Sequence, residues 1–135
     1  MSASQIKPTP ILHTLTLQVE IPVRFVSDMV NTRDIFSNDQ SGYWAYGMRC
    51  PDGLGWLIFE QVDGAPQESS IARAKLHWRD HKPLPEGWHL LDDAVAIRAW
   101  CEGVKRWGVN WFDQVDGGRR DVVLQLSLLG ELRYA

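Results

Sequence analysis

Two histidines stand four residues apart, the spacing at which a helix can present two imidazoles to one metal ion. They are His77 and His81, with Asp80 beside the second. The zinc-enzyme pattern HExxH needs a glutamate directly after the first histidine, and Trp78 occupies that position. A third ligand would have to come from elsewhere, such as His89. The histidine pair therefore gives only weak support to a metal-dependent enzyme. A solvated polar helix face explains the pair more simply.

The cysteines and paired acidic residues have structural explanations. Cys101 lies among apolar residues of a predicted helix, where a buried cysteine behaves as a small hydrophobe. Cys50 precedes a proline in a predicted turn and is expected at the surface. Without a CxxC pair, two free thiols in a reducing compartment are favoured. Asp92 and Asp93 are explained by helix capping. The sequence therefore favours a protein that is not an enzyme and holds no cofactor.

Tryptophan is the unusual component of this sequence. Seven of the 135 residues are tryptophan, and each indole can bury about 150–250 Å². Since small domains rarely hide so many rings, we predict that some line a groove or an interface. The alternative is a tryptophan-rich core with helices on both faces of the sheet.

The candidate partner-binding surface is an aromatic cluster made of Tyr43, Trp44, Tyr46 and Trp56. Strand alternation on a predicted hairpin places Tyr43 on one face and Trp44 with Tyr46 on the other. Both faces need a cover, which can be a helix of the same chain, a partner or a ligand. Tyrosine and tryptophan are favoured anchors of protein interfaces, so a protein partner is predicted here.

Three arginines extend this prediction to a small ligand. Arg73, Arg119 and Arg120 supply positive charge, and arginine beside aromatic rings binds carboxylates, phosphates or stacked bases. Together with the aromatic cluster they define the second hypothesis, a pocket that sequesters a signalling nucleotide. A solvated helix face is the alternative for these arginines.

Apolar spacing predicts an α+β fold, a three- to four-stranded antiparallel sheet packed with three to four helices. Strands are predicted at 13–21, 43–49, 56–62 and 88–90, and helices at 23–38, from Ser69 or Ser70 to before Pro83, at 92–107 and at 122–129. The last segment also alternates as a strand does. Helix is preferred because Asp121 can cap it and Gly130 can end it.

The helix after the N-cap Asp92 has the clearest pattern. Its predicted apolar stripe consists of Ile97, Trp100, Cys101, Val104 and Trp107. Gly103 in its middle either permits the close approach of another backbone or is tolerated at a cost of about 1 kcal/mol against alanine.

Composition excludes several classes of protein. The apolar fraction of 44% and the charged fraction of 23% are ordinary for a globular domain. A net charge of -3 makes nucleic-acid binding unlikely. No signal peptide opens the chain, and no apolar run approaches the roughly 20 residues that span a bilayer. We expect a cytoplasmic protein of a bacterial host cell, with a flexible leader at 1–10 and a single domain at 11–135.

Two short motifs carry a family resemblance. One is Ser41-Gly42-Tyr43-Trp44-Ala45 after the first predicted helix. The other runs from Gln125 through Gly130-Glu131 to Tyr134. With the helical segment 100–104, they resemble a group of small phage and prophage proteins of unassigned activity. The resemblance implies a phage-encoded accessory protein.

The first hypothesis follows from this resemblance and from the tryptophan excess. It is a non-enzymatic phage or prophage accessory protein that binds a host or phage protein, such as a defence or regulatory factor that it inhibits. A homodimer is expected. Nucleotide binding is the second hypothesis, and the metal-dependent enzyme is the third.

Overall fold

A computed structural model describes residues 12–14, 16, 18, 20–31, 33–37, 40–114 and 117–135. Helix α1 spans Val23–Asn31, strand β1 Ala45–Arg49, strand β2 Trp56–Glu60, helix α2 Glu68–Arg79, strand β3 Trp88–Leu91, helix α3 Asp93–Trp107 and helix α4 Gly117–Leu129, with 3-10 turns at Asp34–Phe36 and Trp111–Gln114. Within these residues the protein has a three-stranded antiparallel sheet and four helices. The α+β prediction is confirmed.

The sheet has the order β1-β2-β3, and each strand is antiparallel to its neighbour. Tyr46 faces Phe59 in the first pair, and Phe59 faces Trp88 in the second. The predicted turn between β1 and β2 is present. Its Asp52 side chain accepts a hydrogen bond from the backbone N–H of Leu54 at 2.8 Å, which is the turn-forming role expected of aspartate.

Helices cover both faces of the sheet. Trp56 and Ile58 belong to the larger core cluster, which also contains residues of α1, α3 and α4. Leu57 lies between them in sequence and therefore points to the other face. There it packs with Trp88 of β3 and Ala74 of α2. Each face of the sheet thus packs against a separate hydrophobic core, and large rings can be buried on both faces.

Aromatic rings pack against one another in the larger cluster. Phe25 of α1 makes edge contacts with Trp100 at 5.2 Å and with Trp111 at 5.5 Å between ring centroids. Gly103 provides the space that Trp111 fills, because a Cβ on this glycine would stand 2.1 Å from the Cε2 atom of Trp111. Gly103 does permit a close approach, but the approaching group is the indole ring of Trp111 and not the backbone that the sequence analysis considered.

The termini of α3 match the sequence prediction, while its buried face does not. Asp92 is the N-cap and accepts a hydrogen bond from Val95 N at 3.0 Å, and Gly108 is the C-cap. The buried residues are Val95, Ala96, Ala99, Trp100 and Gly103. Ile97 is exposed and Cys101 is half-buried, so the predicted stripe was wrong at both positions. Small residues line the buried face because α3 packs closely against α1, α4 and Trp111.

The preferred helix at 122–129 is confirmed, and its predicted cap is wrong. Helix α4 begins at Gly117, which places Asp121 in its second turn with a buried side chain. The predicted capping of α2 by Ser69 or Ser70 is also wrong. That helix begins at Glu68 behind Gln67, and Ser70 accepts a hydrogen bond from Trp88 Nε1 at 3.0 Å. The side chains of Asp121 and Ser70 therefore form hydrogen bonds with residues distant in sequence and do not cap their own helices.

The amino-terminal predictions are met in part. The helix predicted at 23–38 ends at Asn31 and is followed by the 3-10 turn. Of the strand predicted at 13–21, the described residues His13, Thr14, Thr16, Gln18 and Glu20 are exposed and in no strand. Residues 15, 17 and 19 of its apolar face, and the leader predicted at 1–10, lie outside the described residues.

Candidate functional site

The predicted aromatic surface is largely interior. Trp44 and Trp56 are each 1% exposed, so neither ring can meet a partner in this conformation. Tyr46 is half-buried, and Tyr43 is 41% exposed. Tyr43 and Trp44 precede β1 and do not alternate as strand residues would, because both side chains reach the same carboxylate, that of Asp121.

Most of the tryptophans are buried, and the tryptophan that lines a groove, as predicted for some of them, is Trp78 and not Trp44 or Trp56. Five of the seven are at most 4% exposed, namely Trp44, Trp56, Trp88, Trp100 and Trp111. Trp78 and Trp107 are half-buried. Two cores, one on each face of the sheet, provide the volume that a single core would lack. Gly47 adds to it, since Phe36 occupies the space where a Cβ on this glycine would lie.

The three arginines of the predicted nucleotide pocket are not brought together. Arg73 is exposed on α2. Arg119 belongs to α4, donates to the carbonyl of Trp111 at 3.2 Å and lies 4.8 Å from the centre of the Trp107 ring. Arg120, the next residue in the sequence, is half-buried. Because α2 and α4 pack on opposite faces of the sheet, Arg73 cannot share one pocket with the other two.

The histidine pair does not have the helical geometry that metal binding would use. Helix α2 ends at Arg79, and His81 lies beyond it with a positive φ of 54°. The Nδ1 atom of His77 is 2.9 Å from the carbonyl oxygen of Pro83, so that nitrogen is the hydrogen-bond donor. Among the described residues, no group of three or more His, Cys, Asp or Glu side chains is arranged to hold a metal ion.

A buried carboxylate organises the first polar network. Asp121 accepts hydrogen bonds from Ser41 Oγ at 2.9 Å, Trp44 Nε1 at 2.7 Å and Gln125 Nε2 at 3.1 Å, and also from the hydroxyl of Tyr43. Burial, followed by the hydrogen bond to Asp121, raises the pKa of Tyr43 to about 12. Tyr43 is therefore a neutral donor at physiological pH, and the network ties α4 to the chain that enters β1.

The same network fixes the carboxyl-terminal tail. Gln125 Oε1 accepts from the backbone N–H groups of Arg133 and Tyr134, both at 2.9 Å. The ring of Tyr134 stacks on Trp44 with centroids 5.4 Å apart and planes 9° apart. The motif at 41–45 and the motif from Gln125 to Tyr134 therefore meet in space. Because most of these contacts are buried, the residues of both motifs stabilise the fold, and ligand binding is not needed to explain their presence.

Glu60 is the centre of a second polar network. Its carboxylate lies 2.7 Å from each of His89 Nε2, Arg133 Nη1 and the Tyr134 hydroxyl. Burial by itself would raise the pKa of Glu60, but the hydrogen bonds from Tyr134, His89 and Arg133 outweigh burial and hold the pKa below its usual value. The charged form of Glu60 is therefore stabilised in the folded protein.

This lowered pKa predicts a pH-dependent contribution to stability. A carboxyl whose pKa is lower in the folded state stabilises the fold above its unfolded pKa, and that contribution disappears as the pH falls through the folded value. We expect Glu60→Gln to lower the urea midpoint at neutral pH, and we expect a smaller difference from the parent at about pH 3, below the ordinary carboxyl pKa. Glu86→Gln, at an exposed position, is the control. An equal loss for Glu60→Gln at both pH values would contradict this account.

Cys50 does not have the surroundings of a nucleophile. Cys50 is 2% exposed, which corrects the expectation that it lies at the surface. Burial, and then the nearby carboxylate of Asp52, raise its pKa to about 11. Since the thiolate is the reactive form, Cys50 is inert at neutral pH.

The best candidate site is an open cleft that sequence reasoning missed. It has a volume of about 510 Å³ and lies where the end of α1, the β1–β2 turn and the start of α3 meet. The apolar part of its lining is Val30, Leu54, Trp78, Leu90 and Ala94, and the polar part includes Asn31, Asp52, Asp92 and Asp93. We call this surface the cleft. No local signal predicts it, because its lining comes from five separate elements.

One rim of the cleft presents an exposed apolar side chain. Leu54 is 74% exposed at the tip of the β1–β2 turn. Gly55 beside it is held tightly, because a Cβ there would stand 2.4 Å from the carbonyl oxygen of Leu91. Arg49 fixes the opposite wall through hydrogen bonds to the carbonyls of Val30 and Asn31, at 2.5 and 3.1 Å. The cleft is therefore a preformed surface.

The carboxylates of the cleft keep their negative charge available. The Asp52 and Asp92 side chains each accept one backbone N–H, from Leu54 and from Val95. Asp93 is exposed in the first turn of α3. Within the described part of the chain, no lysine or arginine forms an ion pair with any of the three. The cleft thus combines apolar walls with an acidic rim.

Comparison with known proteins adds no family to these observations. The chain matches no protein-family model, no curated protein and no solved structure. In the part of the chain that the structure describes, none of the helices has the length and apolar character needed to cross a membrane.

Proposed function

We propose that this protein is a non-enzymatic phage or prophage accessory protein that binds a host or phage protein through the cleft. The observation that carries the proposal is Leu54, exposed at the rim of a concave surface whose floor includes the half-buried Trp78 and Leu90. Apolar grooves are a recurring form of site for segments of partner proteins. The sequence motifs shared with phage proteins support the assignment to that class.

We propose that the partner bound in the cleft is a different protein, while the homodimer expected from the sequence stays a separate prediction. The cleft is concave, while a symmetric dimer needs one patch that complements itself. A partner segment that projects from its own fold fits such a surface, with its side chains beside Leu54 and Trp78. Binding to a defence or regulatory factor of the host would then block that factor by occupying one of its exposed segments.

The proposal is tested by capture from bacterial lysate with a matched pair of variants. Leu54→Ser removes the exposed rim of the cleft. Val109→Ser changes a residue that is 61% exposed beyond the far end of α3, and the 15 residues of that helix extend over about 22 Å.

We expect one host or phage protein, identified by mass spectrometry, to be retained by the parent and by Val109→Ser and lost with Leu54→Ser. Equal capture by both variants, or recovery of this protein alone, would overturn the proposal. Circular dichroism of both variants establishes that they fold.

A further inference from the structure

The charge distribution of the cleft defines the chemistry of the segment that it binds, on the condition that the proposed function is right. We infer that the bound segment of the partner protein carries lysine or arginine side chains next to apolar ones. The apolar side chains would contact Leu54 and Leu90, and the cationic groups would lie beside Asp52 and Asp93. The lining residues themselves supply this complementarity.

Among the residues that the structure describes, no lysine or arginine forms an ion pair with the acids of this rim. Asp52 and Asp93 are exposed, and Asp92 is half-exposed between them. The positively charged end of α3 offsets part of the charge of Asp92, whose carboxylate is bound to Val95 N. Arg49 forms no ion pair with these acids, and its guanidinium donates instead to the carbonyls of Val30 and Asn31 and lies 4.3 Å from the centre of the Trp56 ring. A lysine or arginine of the partner would neutralise the remaining negative charge of the rim.

The wall of the cleft suits the long stem of a basic side chain. Lysine and arginine pack their methylene groups on apolar surface while the charged end reaches a polar group. The half-buried indole of Trp78 in the cleft lining provides such an apolar surface. An acidic segment would meet three carboxylates, and the net charge of -3 would oppose its approach.

Three synthetic peptides of about 12 residues test the inference by isothermal titration calorimetry, at low and high salt. The first alternates leucine and lysine, the second leucine and glutamate, and the third serine and lysine. We expect only the leucine–lysine peptide to bind, and we expect salt to weaken its binding, because the charged groups are exposed. Binding of the serine–lysine peptide with equal affinity would show adsorption by charge alone and would overturn the inference.

Two double variants locate the interaction. Asp52→Asn with Asp93→Asn removes two charges from the cleft, and Asp63→Asn with Asp113→Asn removes two exposed charges elsewhere. With about 0.2–1 kcal/mol for each exposed ion pair, the first double variant should bind the leucine–lysine peptide about two- to thirtyfold more weakly. The second should bind it as the parent does. Equal affinities of the two double variants would overturn the inference.

The outcomes separate this inference from the proposed function. If the leucine–lysine and leucine–glutamate peptides bind equally and Leu54→Ser abolishes both, the cleft binds apolar segments and only the charge preference is wrong. If no peptide binds, the inference is wrong, and the lysate comparison of Leu54→Ser with Val109→Ser decides the proposed function by itself.

Discussion

Replacing Asp121 with alanine is expected to destabilise the protein by at least about 3 kcal/mol, because each buried donor left without a partner costs about 1–3 kcal/mol. The carboxylate accepts from Ser41, Tyr43, Trp44 and Gln125. The residue is only 7% exposed, so water cannot replace it at every donor. Urea unfolding followed by circular dichroism measures the loss.

Two further variants make this first prediction specific. Asp63→Ala removes an exposed aspartate and should change the free energy of unfolding by less than about 0.5 kcal/mol. Asp121→Asn keeps one accepting oxygen and should fall between the parent and Asp121→Ala. A loss below about 1 kcal/mol for Asp121→Ala, near the value of one ordinary hydrogen bond, would show that the network contributes little to folding.

Replacing Gly103 with valine is expected to destabilise the protein by about 1–3 kcal/mol, because the side chain overlaps a packed ring. Even a Cβ at this position would stand 2.1 Å from Trp111 Cε2 and 2.5 Å from Trp111 Cδ2. Trp111 is 1% exposed among Phe25, Trp100 and Phe112 and has little room to move. Thermal or urea unfolding measures the effect.

A double-mutant cycle assigns this cost to the ring. Trp111→Leu removes the atoms that the new side chain would meet, so valine at position 103 should cost much less in that background than in the parent. A coupling energy of at least about 1 kcal/mol is expected for two residues in direct contact. Additive losses within about 0.5 kcal/mol would place the cost in the helix backbone and contradict the packing explanation.

Local signals in the sequence predicted the elements that depend on neighbouring residues. The Asp92 cap, the Gly108 end of α3 and the turn at Asp52 are short-range hydrogen-bonding patterns, and each is present. The shift of the α3 stripe from Ile97 to Ala96 and Ala99 could not be read locally. Which side of a helix is buried depends on the partners that pack against it.

The polar networks and the cleft depend on contacts between distant segments. Ser41 and Asp121 are 80 positions apart, and no spacing rule connects them. One signal was available: Asp121 and Gln125 stand four residues apart at the start of an apolar run, so both side chains share one helix face and need buried partners. Which tryptophans are buried could not be predicted from their number, because the sheet buries rings on both faces and leaves Trp78 to line the cleft.

Site-specific photo-crosslinking in bacterial cells tests most directly whether the cleft holds a protein partner. The photoreactive p-benzoylphenylalanine replaces Leu54 in one variant and Val109 in another, both exposed positions. We predict that one protein is attached through position 54 and not through position 109, and that its crosslinked peptide contains lysine or arginine beside apolar residues. Equal adducts at both positions, or none at position 54, would contradict the account.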